Sequence, residues 1–402
     1  MENNTIPELR FPEFTDQWNS NKLGSIATFS KGKGISKADI EEDGATECIR
    51  YGELYTVYSE VISEIVSKTN LDINSLVLSD ANDVIIPASG ETQIDIATAS
   101  CVLKAGVALS GDLNIIKSEI DGVFLSYYLN NTKKYKIARL AQGISVVHLY
   151  SSQLASLHVN IPSPEEQEKI AAFLMALDKR IRILEKKKSE LEQYKKGIVQ
   201  KLFARTVRFK NEDGNEFPNW EEKSLGEICN YLNGGSFEKS VVENGKYNLI
   251  TLNSIDINGK LKEHHKTVNE TDNSLAENDL VMVLSDVAHG NFLGLTDIIP
   301  NDTFVLNQRM GALKPKIEIN RYFLKTYINY NQKYFKLMGQ GSSQQNLSKG
   351  DILKFVVLKP QIKEQEKIAS FLISVDKSIN KVVSQIEESL LFKKGLLQKM
   401  FL

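Results

Sequence analysis

EQEKIAAFLMALDKRIRILE at 166–185 and EQEKIASFLISVDKSINKVV at 364–383 are one pattern written twice. The word EQEKIA returns at an offset of 198 residues, and the same offset carries Phe173 to Phe371, Asp178 to Asp376, and KKGIVQKLF at 195–203 to KKGLLQKMF at 393–401. A second, shifted match ties Phe11-Pro12, Trp18 and Leu23-Gly24 to Phe217-Pro218, Trp220 and Leu225-Gly226. Each copy therefore has a marked beginning and a marked end. A period of about 200 residues is far longer than the roughly 20–50 of solenoid repeats, so each copy should be a whole domain with an appendage. The chain reads as a covalent pseudo-dimer.

The appendage is a helix. Ile170, Leu174, Leu177, Ile181, Leu184 and Leu191 fall on one stripe in the first copy. Ile368, Leu372, Val375, Ile379, Val382, Ile386 and Leu390 do so in the second, as an amphipathic or coiled-coil helix requires. Pro162 and Pro360 break the chain just upstream. At ~1.5 Å per residue, roughly 38 residues make a rod of about 57 Å, longer than most globular domains need. Two such rods in one chain are natural partners, stripe to stripe, across a pseudo-twofold axis. Before each rod the sequence reads as mixed α/β. Strand-like runs are Asp83 to Pro87, Leu113 to Lys117, His158 to Pro162, Leu280 to Leu284 and Phe355 to Leu358, with helix-like stretches near Phe124 to Ile137 and Tyr322 to Leu337. The expected class is α/β (α+β), with two mixed α/β domains at 1–163 and 206–361. They are separated by two long helices, 164–205 and 362–402, that form an antiparallel coiled coil with an internal pseudo-twofold repeat.

Composition sets the bounds. The 402 residues have room for two or three domains, and 42% hydrophobic with 25% charged residues is a folding balance. Apolar runs are short and Met1-Glu2-Asn3-Asn4 is acidic-polar, so neither a membrane span nor a signal peptide is expected, and the default address is cytoplasmic. Cys48, Cys101 and Cys229 are widely spaced and odd in number, which fits neither a disulfide framework nor a CxxC metal site; buried or idle thiols are expected. The net charge of -2 gives a nucleic-acid role no support, so local distribution must decide.

Locally, 122–164 contains no acidic residue but carries Lys133, Lys134, Lys136, Arg139 and His148 among several tyrosines. In the corresponding place, 319–350 is likewise acid-free, with Arg321, Lys325, Lys333, Lys336 and Lys349 beside Tyr322, Tyr327, Tyr330 and Tyr334. Such segments suit a polyanion, although a single charge run is ordinarily a solvated helix face. Each ends in a polar loop: Gln142, Gly143, Ser145 and His148 in the first, and Gln340, Gly341, Ser342, Ser343, Gln344, Gln345 and Asn346 in the second. Two more loops follow strand-like runs, Ser89-Gly90-Glu91-Thr92-Gln93 and Ser285-Asp286 with His289-Gly290-Asn291. Amides suit adenine edges and hydroxyls suit phosphates, though taken singly each loop is equally an ordinary turn. Lys31 and Lys33 flank Gly32 in a cluster that is not GxxxxGK[ST], so a nucleotide-loop signal there is weak.

Catalytic signatures are missing: there is no HExxH, CxxC pair, Walker A sequence, GxSxG elbow or NPP[FY] tetrapeptide. His264-His265 beside Glu263 is no metal cluster by pattern, because adjacent histidines point apart on a strand or a helix; a surface loop is expected there. His158, between Leu157 and Val159, is expected in or beside a strand, and five histidines in all leave little for a metal site.

The two EQEKIA helices, the closing KKGIVQKLF and KKGLLQKMF, and the FP…W…LG openings together resemble a type I restriction-modification specificity subunit over essentially the whole chain. The resemblance implies two target recognition domains, each followed by a helix of a central coiled coil. It implies sequence-specific binding of double-stranded DNA at a bipartite, asymmetric target. It also implies a non-catalytic role beside modification (methyltransferase) subunits, two in number, and restriction (endonuclease/translocase) subunits. S-adenosylmethionine, ATP and Mg would then be held on those partners, with no cofactor or metal on this chain. Recognition domains vary within that family, so the DNA-contacting candidates stand on chemistry alone. They are Lys31, Lys33, Ser89, Thr92, Gln93, Lys133, Lys134, Lys136, Arg139, Gln142, Ser145 and His148 in the first copy. In the second they are Ser236, Lys239, Ser285, His289, Asn291, Arg321, Lys325, Lys333, Lys336, Gln340, Ser342, Ser343 and Gln344.

Overall fold

The computed structural model describes residues 6–143, 146–287, 290–341 and 344–401. Its contacts gather into two units, Met1–Lys186 with Val382–Leu402, and Lys187–Lys381. The strand Asp83–Pro87, apolar from Val84 onward, is buried on both faces and forms the middle of the first unit's main sheet. That sheet runs Ala27–Lys31, Leu113–Ser118, Asp83–Pro87, Ser100–Val102, Val61–Ile62, antiparallel except for the last, parallel pair. A second sheet runs Ser67–Thr69, Thr46–Ile49, Ala108–Leu109, Val77–Leu78. The helical stretch spans Gly122–Tyr128, a π turn at Leu129–Lys133, and Lys134–Leu140. His158 opens the strand His158–Ile161, paired antiparallel with Asn19–Lys22.

In the second unit Leu280–Val283, again wholly buried, sits between Met310–Pro315 and Thr296–Ile298, with Cys229–Asn233 on the outer edge. A smaller sheet runs Val241–Val242, Lys266–Val268, Tyr247–Ile250, Phe304–Leu306. The helices are Arg321–Tyr330 and Gln332–Met338. All three cysteines are free and buried. Burial pushes the Cys48 thiol up to about 11 and those of Cys101 and Cys229 up to about 12, which leaves them inert at neutral pH.

The long helices are Pro164–Phe203 and Ile362–Met400. Within the first unit, Ile170 and Leu174 share a core with Leu396 and Met400, while Asp178 meets Lys393 at 2.7 Å, so the segments run antiparallel. Within the second, Leu202 shares a core with Ile368 and Leu372, and Lys195 meets Asp376 at 2.6 Å in the same order. The compact unit is therefore not the repeat of the sequence. Phe401, which closes the second copy, packs on Phe124 and Tyr128 of the first unit at 5.7 and 6.0 Å, beside Trp18. Phe203, which closes the first copy, packs on Phe323 and Tyr327 of the second at 5.8 and 5.1 Å. Leu390, read as part of the stripe, is 49% exposed, and Ser389 is buried in its place. Steps averaging slightly more than 3.6 residues swing the stripe by about 40° over this helix, which turns its far end outward.

The repeated word is a clamp at the head of each long helix. Glu166, fully buried, takes a bidentate pair from Arg10 at 2.7 Å each. Glu364 takes one from Arg208 at 3.0 and 2.8 Å, and also accepts the Trp220 indole N–H at 3.0 Å. Gln167 accepts the Asp121 backbone N–H and donates to the Pro162 carbonyl, and Gln365 does the same with Asn320 and Pro360. Asp121 and Asn320 in turn cap the helices that follow them, accepting from the Phe124 and Phe323 amides. Ile170 and Ile368 complete the word in the core. EQEKIA thus fastens the long helix to the domain.

Lys133 lies in the π turn, buried, with its ammonium 5.1 Å from the Tyr128 ring centre. Burial, and then Lys136, push its pKa down to about 8 from 10.5. A lysine held below its unfolded pKa is a penalty at low pH that fades as the folded group deprotonates first. Lys133→Met is therefore expected to raise stability at pH 7 by about 2–3 kcal/mol. Urea midpoints should show that gain shrinking between pH 8 and pH 10.5. A gain that grows with pH would contradict the burial argument.

Candidate nucleic-acid interface

In the first unit the central strand ends at Pro87 and the Ala88 amide donates to the Asp112 carbonyl at 2.6 Å. The chain then enters Ser89–Gly90, which pairs antiparallel with Val147–His148. Gln142 closes the far side by exchanging two backbone hydrogen bonds with His148, at 2.9 and 2.7 Å. Two loops that sequence treats separately thus meet in one two-stranded ribbon, Ser89–Gly90 with Val147–His148. Thr92 caps the helix Gln93–Ile96, accepting from the Asp95 amide at 3.1 Å. This helix packs against Lys134–Leu140, which carries the exposed Lys136 and Arg139 and the half-buried Lys134. Lys31, at the end of the strand Ala27–Lys31, lies 5.9 Å from the ring of Tyr150, which stacks near His148.

The second unit repeats the construction. Ser285–Val287 pairs antiparallel with Gln344–Asn346, and Gln340 exchanges backbone hydrogen bonds with Asn346 at 3.0 and 2.9 Å. Ser285, Gln344 and Asn346 bond to one another through their side chains. Gln332 donates to the Asn291 carbonyl at 2.7 Å and Lys336 lies 3.3 Å from the Asn291 side chain, so the basic helix Gln332–Met338 borders the ribbon. Lys333 is exposed on that helix. Where the first unit sets Lys31 against Tyr150, here Lys349 lies 5.9 Å from Tyr231.

Other candidates are placed differently. Ser89 and Ser285 are buried at the foot of their ribbons, and Lys133 turns into the core. Lys325 is ion-paired with Asp297 at 2.5 Å, and Arg321, donating to the Ile319 carbonyl, stands at the long-helix end of its unit; neither borders the ribbon. Lys33 is exposed just past Gly32. That glycine serves packing: a Cβ there would lie 1.9 Å from the Ser110 carbonyl oxygen, as one at Gly234 would from that of Asn307. Ser236 and Lys239 are exposed beyond Gly234, at the same sheet end as the second ribbon. Ser145, His289, Ser342 and Ser343 lie outside the described residues.

Sequence reasoning passed over Val146, Val287 and Tyr150 at these ribbons, all about half exposed or more. Their signal was available as apolar residues inside otherwise polar loops. His264 is exposed in a loop, and burial pushes the half-buried His265 imidazole down in pKa. No cluster with metal-ligand chemistry occurs among the described residues, and no helix there is long and apolar enough to cross a membrane. A cleft of about 770 Å³ in the second unit, lined by Phe209, Phe217, Lys363 and Lys367 with Glu212 and Asp213, contains none of the ribbon residues.

The family described as type I restriction modification DNA specificity domain matches residues 15–193 and again 218–391. The type I restriction enzyme MjaVIII specificity subunit of Methanocaldococcus jannaschii is 26% identical over 413 residues, 95% of this chain and 91% of that protein. The MjaIX specificity subunit of the same organism is 26% identical over 274 residues, 62% of each chain. Among solved structures, the type I restriction-modification system S subunit from M. genitalium superposes over 99% of both chains with a TM-score of 0.64 at 18% identity. A chain from a study of complex assembly and conformational transition of the type I R-M system covers 96% of this chain and 97% of its own, at 0.57 and 16%.

Proposed function

We propose, since the chain belongs to the type I restriction-modification DNA specificity family, that it is the non-catalytic reader of a cytoplasmic complex. Each unit would grip one half of a bipartite, asymmetric duplex target, while partner subunits methylate adenine and cut. The ribbon carries this reading. In each unit two distant loops are zipped into a two-stranded ribbon with a basic helix at its flank. The major groove of B-form DNA admits such a ribbon. Amide and imidazole groups from Gln93, Gln142, His148, Gln340 and Gln344 would meet base edges, and Lys31, Lys33, Lys134, Lys136, Arg139, Lys239, Lys333 and Lys336 would meet phosphates. The ribbons carry unlike side chains, so the half-sites should differ.

The chemistry would lie with the partners: methyltransferase subunits that take the adenine out of the stack with S-adenosylmethionine, and restriction subunits using ATP and Mg. Tyr194 and Phe392, at corresponding positions on the long helices, are 53% and 56% exposed and suit partner docking. Competition between a duplex DNA library and double-stranded RNA for the chain with its methyltransferase subunits tests the reading. DNA should win at every salt concentration and select one split sequence, and equal competition by RNA would defeat it. Lengthening both long helices by four residues, after Glu185 and after Val383, adds ~6 Å. The preferred spacer should grow by up to about two base pairs at ~3.4 Å each. An unchanged spacer in a variant that still binds would show that the helices do not set it.

A further inference from the structure

We infer that Glu91 is a base-reading residue of the first unit, its carboxylate accepting from the exocyclic N4 amino group of a cytosine in the major groove; this rests on the DNA-reading role proposed above. Strand alternation decides which side chains face outward. Gly90 and Val147 are cross-strand partners, and Val147 is buried, so that rung faces the core. Glu91 and Val146, one step beyond that rung, are both exposed, as alternation continued past the strand ends requires.

Nearby carboxylates are used inside the fold. Asp95 accepts from the Thr92 hydroxyl at 2.6 Å to complete a helix cap, and Asp286 of the second ribbon accepts the Val287 and Phe292 amides at 2.8 Å. Glu91 receives no hydrogen bond and no ion pair among the described residues. It is a free acceptor on a face otherwise equipped for a polyanion, where it repels phosphate and needs a donor. In the major groove the donors on base edges are the amino groups of cytosine and adenine. Adenine sets the N7 acceptor beside its amino group, against the second carboxylate oxygen, so cytosine is preferred. The corresponding rung of the second unit is Val287 with Gln344, which carries no charge, so this contact belongs to one half-site only.

The test uses the full chain with its methyltransferase subunits and a panel of duplexes in which each target base pair is exchanged in turn. For the wild type, exchange of one C·G pair in one half-site should cost about tenfold or more in affinity. In Glu91→Gln and Glu91→Ala that penalty should fall to within about twofold while penalties elsewhere persist, since well-separated positions act independently. Thermal melting of both variants should match the wild type. If all penalties persist and every duplex binds equally more tightly, the carboxylate faces phosphate and the inference is wrong. It is equally wrong if all penalties fall together, which marks a structural role. A wild-type complex with no sequence preference would defeat the DNA-reading role itself, and this assignment with it.

Discussion

Glu364→Ala is expected to lower the unfolding free energy by about 3–5 kcal/mol, the range for removing one partner of a buried ion pair. The carboxylate is fully buried and accepts three hydrogen bonds, two from Arg208 and one from the Trp220 indole. Removing it leaves a guanidinium only 16% exposed, with the Pro218 carbonyl as its remaining acceptor, and an indole N–H that loses its acceptor. Glu166→Ala should cost less. Its Arg10 pair is slightly shorter, but the corresponding indole, Trp18, has no hydrogen-bond partner in the wild type and so loses nothing. Urea midpoints followed by tryptophan fluorescence give the comparison. Equal midpoints for the two variants would mean that the indole bond contributes nothing measurable. Glu364→Gln should recover part of the loss, because the amide oxygen still accepts while the charge is gone.

Replacing Lys134, Lys136 and Arg139 together with alanine is expected to weaken binding to every duplex by roughly 100-fold or more at about 0.1 M salt. If each neutralises one phosphate, the slope of log affinity against log salt should become shallower by about 2.7. The three residues stand on the helix Lys134–Leu140 beside the first ribbon, and none takes a carboxylate partner among the described residues. Discrimination between sequences should survive, because phosphate contacts set position and base contacts set identity. Adding Lys133→Met to the triple variant should leave the slope where it is, since Lys133 lies in the core. An unchanged slope in the triple variant would move the DNA face away from this helix.

Much of the architecture was legible because it is written in local periodicity. The stripe from Ile170 and that from Ile368 need only a 3.6-residue repeat to become helices, and Asp83 to Pro87 and Leu280 to Leu284 need only an apolar run to become central strands. The candidate site was legible in part. Both polar loops of each copy were visible as loops, but their union was not, because Gly90 and Val147 pair across 57 residues of chain and their meeting depends on where the sheet directs it. Acid-free composition drew Lys133, Arg321 and Lys325 into one class with Lys136 and Lys333. Burial, an ion pair with Asp297 and position along the helix separate them, and none of these is a property of composition.

By itself the sequence determined that the chain is doubled, that each copy ends in a long amphipathic helix, and that the two polar surfaces differ, since repeat, periodicity and side-chain type are all carried by neighbours in the chain. Tertiary structure alone decided that EQEKIA clamps the long helix to its domain through its buried first glutamate, glutamine and isoleucine, and that Phe203 and Phe401 each complete the core of the domain from the other copy. It also decided which side of each ribbon faces out. Those outcomes depend on which distant segments exclude water from one another, and an antiparallel pairing of helices brings the end of each against the beginning of the other.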